Sequence, residues 1–176
     1  IRDRSESLRY PVGRFVFDEA GGEAARAAAL EAIGEFPAAF RAVAEGLTEI
    51  QLATPYREAG WTARQVIHHV ADSHINAYVR TRWVLTEDRP GIKVYDEKAW
   101  AELPDAALAP VDLSLDLIDA LHRRWSVLLA DIHGDAFARE LVHPTNGPMS
   151  LERLVQLYAW HGRHHLGHLQ IVAGLR

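Results

Sequence analysis

Four of the ten histidines fall between positions 161 and 168, in the run His161-Gly162-Arg163-His164-His165-Leu166-Gly167-His168. On a helix, His161 and His165 stand four residues apart, so their rings lie on one face about one turn from each other. Helices use that spacing to offer two imidazole nitrogens to one divalent ion. Gly162 rather than a glutamate follows His161, so the run is not the zinc-protease pattern. Such a pair also describes core histidines bonded to backbone and water, and a third ligand is needed to separate the readings. His69 is the candidate. The same helical face carries Gln65, Asp72, Ser73 and Asn76, a strip that either faces solvent or forms the wall of a pocket opposite the histidines. His68 lies about 100° round from His69, so only one of the two faces that centre.

The elements that must position these groups are helical. Residues 23–46 are Ala-rich, with Leu30, Ile33, Phe36, Phe40, Val43 and Leu47 at helical spacing, and Pro37 should kink that helix. Thr62 is a plausible N-cap for a second helix over 63–86, ended by Pro90 and Gly91. The spacing of Leu117, Leu121, Trp125 and Leu128 predicts a third over 113–132, closed by Gly134. Ser150 caps a fourth over 151–172, whose core-facing stripe of Leu154, Leu157, Tyr158 and Val172 also contains His161, His165 and His168. Residues 8–17, with Pro11 and Gly13, read as an extended arm. Residues 92–110 read as irregular, with one short helical turn near 96–103, and Pro144 to Pro148 as a turn. Strand alternation of useful length is absent, so the expected fold is an all-α four-helix bundle spanning 1–176, with a long connection between helices two and three. Three imidazoles where a bundle wants leucine are costly unless something binds them. His74 lies on the apolar side of helix two and reads as a core or interface histidine. His122, His133 and His143 have no partner at ligand spacing and read as structural or exposed.

Composition narrows the chemistry. The 176 residues carry 19 Lys and Arg against 24 Asp and Glu, a formal charge of -5 with no basic cluster, which argues against a nucleic-acid footprint. There is no cysteine, which excludes disulfides, thiolate metal sites and a protein-borne thiol nucleophile. No apolar run approaches the roughly 20 residues that cross a bilayer, and no signal-peptide pattern opens the chain, so a cytoplasmic protein without a membrane partner is expected.

Two long motifs carry a family resemblance. Gly60-Trp61-Thr62-Ala63-Arg64-Gln65-Val66-Ile67-His68-His69-Val70-Ala71-Asp72-Ser73-His74 resembles the first metal motif of the DinB/YfiT superfamily. Tyr158-Ala159-Trp160-His161-Gly162-Arg163-His164-His165-Leu166-Gly167-His168 resembles the second, in the YfiT-like branch of bacillithiol-transferase-like proteins and metal-dependent hydrolases. Tyr10-Pro11-Val12-Gly13, Thr54-Pro55-Tyr56-Arg57 and Tyr95-Asp96-Glu97-Lys98-Ala99-Trp100 follow the same order. The resemblance implies a four-helix bundle, often a homodimer, with metal ligands at His69, His161 and His165, the same three that helical periodicity favours. His168 stands where other branches often carry a glutamine.

Three neutral imidazoles leave a divalent ion an open position, the arrangement of a catalytic site. Zinc suits the donors best and nickel also fits, with one ion per chain expected. Asp72, Gln65 or His168 are the candidates for orienting a ligand ring. Arg57, Arg64 and Arg80 are candidates for meeting a cosubstrate carboxylate. Because the chain has no thiol, the resemblance implies a cosubstrate such as bacillithiol attacking a small electrophile. Two alternatives share the same ligands: a hydrolase using water, and a metal or small-ligand binding protein without turnover.

Overall fold

The computed structural model describes residues 4–175. Four long helices dominate it: α2 (Gly22–Glu45), α4 (Ala63–Thr86), α7 (Val111–Ala130) and α8 (Leu151–Val172). Short helices α1 (Arg4–Arg9), α3 (Glu49–Leu52), α5 (Glu97–Ala101) and α6 (Pro104–Leu108) and a 3-10 turn at Gly134–Ala138 lie between and before them. α8 packs against α2 and α4, and α7 packs against the same two helices. Consecutive long helices α2 and α4 therefore sit diagonally across the bundle, as do α7 and α8. Side chains from all four can meet on the bundle axis.

Local chemistry sets the helix ends. Thr62 accepts from the Gln65 amide N–H while the Gln65 side chain accepts from the Thr62 N–H, a reciprocal cap that starts α4 seven residues before His69. Ser150 accepts from the Arg153 N–H and starts α8. Pro37 lies buried inside α2, and the helix continues through it from Gly22 to Glu45.

The apolar core falls into two clusters. One gathers Ile33, Val84, Trp125, Leu129, Leu151 and Leu154. The other gathers Phe36, Phe40, Ile67, Val70, Ile118 and Leu169. His74 and His122 lie between them, each 5.3 Å from the Phe36 ring and 6.4 and 5.7 Å respectively from the Trp125 ring.

Several sequence expectations are corrected. The arm is extended only beyond Gly13, after a turn in which the Gly13 N–H donates to the Tyr10 carbonyl at 3.0 Å. Before it, α1 runs to Arg9, closed by the Tyr10 N–H donating to the Glu6 carbonyl at 2.9 Å, and Pro11 stops it because it has no N–H to offer. The arm is tied to α8 by Trp160 Nε1 donating to the Gly13 carbonyl at 3.0 Å. Residues 92–110 hold two short helices rather than one turn. The segment around Pro144 to Pro148 is the tip of a hairpin, β1 (Glu140–His143) paired with β2 (Gly147–Ser150). Such four-residue strands are too short for alternation to show in sequence. The buried stripe of α7 is Leu115, Ile118, His122, Trp125 and Leu129, whereas Leu117 is 43% exposed. No helix among the described residues is long and apolar enough to cross a membrane.

Replacing Thr62 with Ala should cost about 1 kcal/mol in urea unfolding, and Thr62→Ser should cost little. Equal stability for Thr62→Ala and the wild type would show that the cap contributes nothing.

Candidate metal centre

His69, His161 and His165 each offer a ring nitrogen, and these nitrogens all lie within 4.8 Å of one another. Their ring centroids are 5.5 Å (His69 to His161), 4.9 Å (His69 to His165) and 4.5 Å (His161 to His165) apart. Hydrogen bonding separates the adjacent histidines His68 and His69 of α4. His68 turns away, bonding Ser114 Oγ at 2.7 Å and the Ala109 carbonyl at 3.0 Å. His69 faces α8, with its ring 4.6 Å from that of Trp61.

Two chains of hydrogen bonds fix which nitrogens are available. His122 Nδ1 lies 2.7 Å from the Ile33 carbonyl, His122 Nε2 lies 2.7 Å from His74 Nδ1, and His74 Nε2 lies 3.0 Å from His161 Nδ1. A carbonyl only accepts, so His122 Nδ1 carries the proton there. In neutral rings each following Nδ1–H then donates to the preceding Nε2, and His161 Nε2 is left as a bare lone pair. A second chain behaves alike. His168 Nε2 donates to the Arg9 carbonyl at 3.2 Å, and His168 Nδ1 accepts from His165 Nδ1 at 3.2 Å, leaving His165 Nε2 bare. The donor set therefore fits a divalent ion: uncharged imidazoles converging from α4 and α8, with Nε2 left free on His161 and His165.

Burial keeps the rings neutral. It pushes His74, His161 and His165 well below the ordinary histidine value, with neighbouring imidazoles adding to the effect. Burial also brings His69 and His164 to about 4 and His168 to about 3. His68 and His122 are lowered for the same reason.

The remaining predicted residues are placed as follows. His168 orients His165. Gln65 does not meet a ligand ring: its amide donates to the Ala101 carbonyl at 2.9 Å while its oxygen serves the cap. The carboxylate of Asp72 makes no hydrogen bond to a ligand imidazole among the described residues. Burial, with Asp105 nearby, raises that carboxyl to about 6. His164 stacks on Trp160 at 4.5 Å and keeps a buried Nδ1 without a partner. It forms a second candidate set of three with His165 and His168, although Nδ1 of those two rings already face each other. Arg64 is engaged by Glu49 and the Ala109 carbonyl, and Arg80 by the Lys93 carbonyl. Sequence reasoning missed the roles of His74 and His122. His74 lay on the apolar side of its helix, which was a signal, whereas His122 lay off the stripe that Leu117, Leu121 and Leu128 suggest.

The donor set opens into a cleft of about 830 Å³ whose walls include Arg9, Tyr56, Arg57, Trp61, Glu97 and Lys98. Tyr56 stacks on His168 at 3.8 Å. Glu97 and His161 also line a smaller cavity of about 230 Å³ beside Leu157 and Tyr158.

A four-helix bundle in which a triad of imidazoles, two buried and one half-buried, opens on a cleft is an arrangement that fits a divalent metal ion. Residues 32–169 match the DinB superfamily. The chain belongs to that superfamily. It is 47% identical over 164 residues to "Putative metal-dependent hydrolase OB0782" of Oceanobacillus iheyensis, covering 92% of this chain and 93% of that one. It is 44% identical over 162 residues to "Putative metal-dependent hydrolase BCE33L2441" of Bacillus cereus, with the same coverage of 92% and 93%. Among solved structures it matches YfiT from Bacillus subtilis, described as a probable metal-dependent hydrolase with an unusual four-helix bundle topology. That match has a TM-score of 0.92 and 40% identity, covering 96% of this chain and 97% of the other.

Two outcomes follow. His165→Ala should abolish stoichiometric metal content by elemental analysis, whereas exposed His133→Ala should leave it unchanged; equal content in both would contradict the ligand set. Without metal, folded and unfolded chains carry equal protons on these histidines only well above the unfolded value of about 6.5. As pH falls toward 4, the unfolded chain takes up protons that the fold refuses. Stability then drops by up to about 1.4 kcal/mol per pH unit for each such histidine. Urea unfolding in chelator should show a large loss between pH 7 and pH 5, and a flat profile would contradict buried neutral imidazoles.

Proposed function

We propose that this chain is a metal-dependent thiol S-transferase that joins a low-molecular-weight, bacillithiol-like thiol to small electrophiles. The observation that carries the reading is the cleft: the three imidazole donors open onto a space far larger than a water molecule needs, walled in part by Arg9, Arg57 and Lys98. A divalent ion held by uncharged ligands keeps its full charge and an open position, and supplies a lowered pKa to a thiol or water that takes that position. The chain has no cysteine, so a thiol has to arrive with a cosubstrate. Arg57 donates Nη1 to the Glu58 carbonyl at 2.9 Å, while its Nε is buried without a partner. A carboxylate on the cosubstrate would satisfy that charged donor. Tyr56 and Trp61, against His168 and His69, cover the rings and limit the water that reaches them.

A second reading, hydrolysis, is favoured by Glu97. This carboxyl lines the cleft and the smaller cavity, and burial raises it above the ordinary value, which suits a base for an attacking water. The names of the curated relatives point the same way.

Zinc-loaded protein should conjugate bacillithiol to a fluorogenic chlorobimane faster than the uncatalysed reaction. Arg57→Gln should raise the KM for the thiol about tenfold with metal content unchanged. Turnover of esters or amides without any thiol, lost in Glu97→Gln, would favour the hydrolase. Metal-loaded protein with neither activity would overturn both.

A further inference from the structure

We propose that His122 and His74 are positioning residues of the metal centre, locking His161 in the tautomer whose Nε2 is free to bind metal, and that Pro37 supplies the anchor of this lock. The inference rests on reading His161 as a ligand. A regular helix bonds each N–H to the carbonyl four residues earlier. Position 37 is proline and has no N–H, so the Ile33 carbonyl lacks its helical partner. Pro37 and Ile33 are both buried in α2. His122 takes the place instead, at 2.7 Å from α7.

From that carbonyl the proton pattern runs one way. His122 must donate to Ile33, so it accepts from His74; His74 must therefore accept from His161; and the last free nitrogen is His161 Nε2. The chain crosses the bundle through α2, α7, α4 and α8 in turn. It is not a route for protons to solvent, because it ends on a backbone carbonyl that cannot take one. His74 and His122 are almost wholly enclosed, at 0% and 2% exposure, and neither lines the cleft. Their packing against Phe36 and Trp125 would be met by apolar side chains. Two imidazoles at these positions, each with both nitrogens bonded, are explained by what they hold at the far end. Groups that orient a ligating histidine commonly change metal affinity tenfold to a hundredfold.

The test compares His122→Phe with His122→Gln. Phenylalanine keeps the ring packing but gives His74 no acceptor. Glutamine keeps one donor for the Ile33 carbonyl and one acceptor for His74. Two readouts are needed: the 15N shifts of His161 in metal-free protein, and zinc affinity by competition with a chelator. In the wild type, His161 should show a protonated Nδ1 and a bare Nε2. His122→Phe should mix the tautomers and weaken zinc binding about tenfold to a hundredfold, while His122→Gln stays close to the wild type in both. A wild-type His161 with its proton on Nε2 would overturn the proposal, even if His122→Phe fails to fold. Equal zinc loss in both variants, in proportion to lost thermal stability, would also overturn it, because packing alone would then explain the effect. A correct tautomer in wild-type protein that binds no zinc would leave the lock standing and sink the metal reading instead.

Discussion

A buried imidazole has two nitrogens that need partners of opposite sense, and five of this molecule's rings join in two hydrogen-bonded chains that meet at one point. Two backbone carbonyls decide how they are satisfied. The Ile33 carbonyl, left without its helical partner by Pro37, orders His122, His74 and His161. The Arg9 carbonyl, at the end of α1, orders His168 and His165. In both chains the ring nearest the centre is left with its Nε2 lone pair. Removing either carbonyl would leave buried donors unpaired, each at a cost of about 1 to 3 kcal/mol.

The rest of the fold serves those two anchors. Diagonal placement of α2 against α4 and of α7 against α8 lets all four long helices reach the axis, where one chain of hydrogen bonds can cross the bundle. The polar level lies between two apolar clusters, so its members are kept dry and neutral. The arm after α1 has a comparable duty. Trp160 holds it at Gly13, and Gln156 pairs with the Asp18 backbone in both directions, at 3.0 and 3.1 Å. Those contacts keep the Arg9 carbonyl against α8.

Much of this was legible in the sequence. The four long helices and the caps at Thr62 and Ser150 could be read from spacing and turn residues. So could the shared direction of His161 and His165, because a histidine on an apolar stripe signals where it points, while His69 stood out on a polar strip that could face them. The role of His122 was hidden by a phase error. Leu117, Leu121 and Leu128 suggested a stripe displaced by one position from the true one, which put His122 off the core face of α7. Asp72 and Gln65 drew attention as polar neighbours of His69, yet the orienting groups are other histidines, brought there by helices distant in sequence. Nor could Pro37 be seen as more than a kink, since its consequence depends on which side chain stands opposite the freed carbonyl. The hairpin and the short helices between α4 and α7 rest on tertiary contacts. The backbone of Ile92 and Pro90 pairs with Val142, for example, and no local pattern announces it.

The central claim is that three ring nitrogens, one from His69 of α4 and Nε2 of His161 and His165 of α8, hold one divalent ion. Anomalous diffraction at the zinc edge, from crystals of protein purified without a nickel column and loaded with zinc, tests it most directly. The predicted result is a single strong peak per chain, bonded to a ring nitrogen of His69 and to Nε2 of His161 and His165, and open toward the cleft beside Arg57. A peak among His164, His165 and His168, bonds through Nδ1 of His161, or no peak at the triad would contradict it.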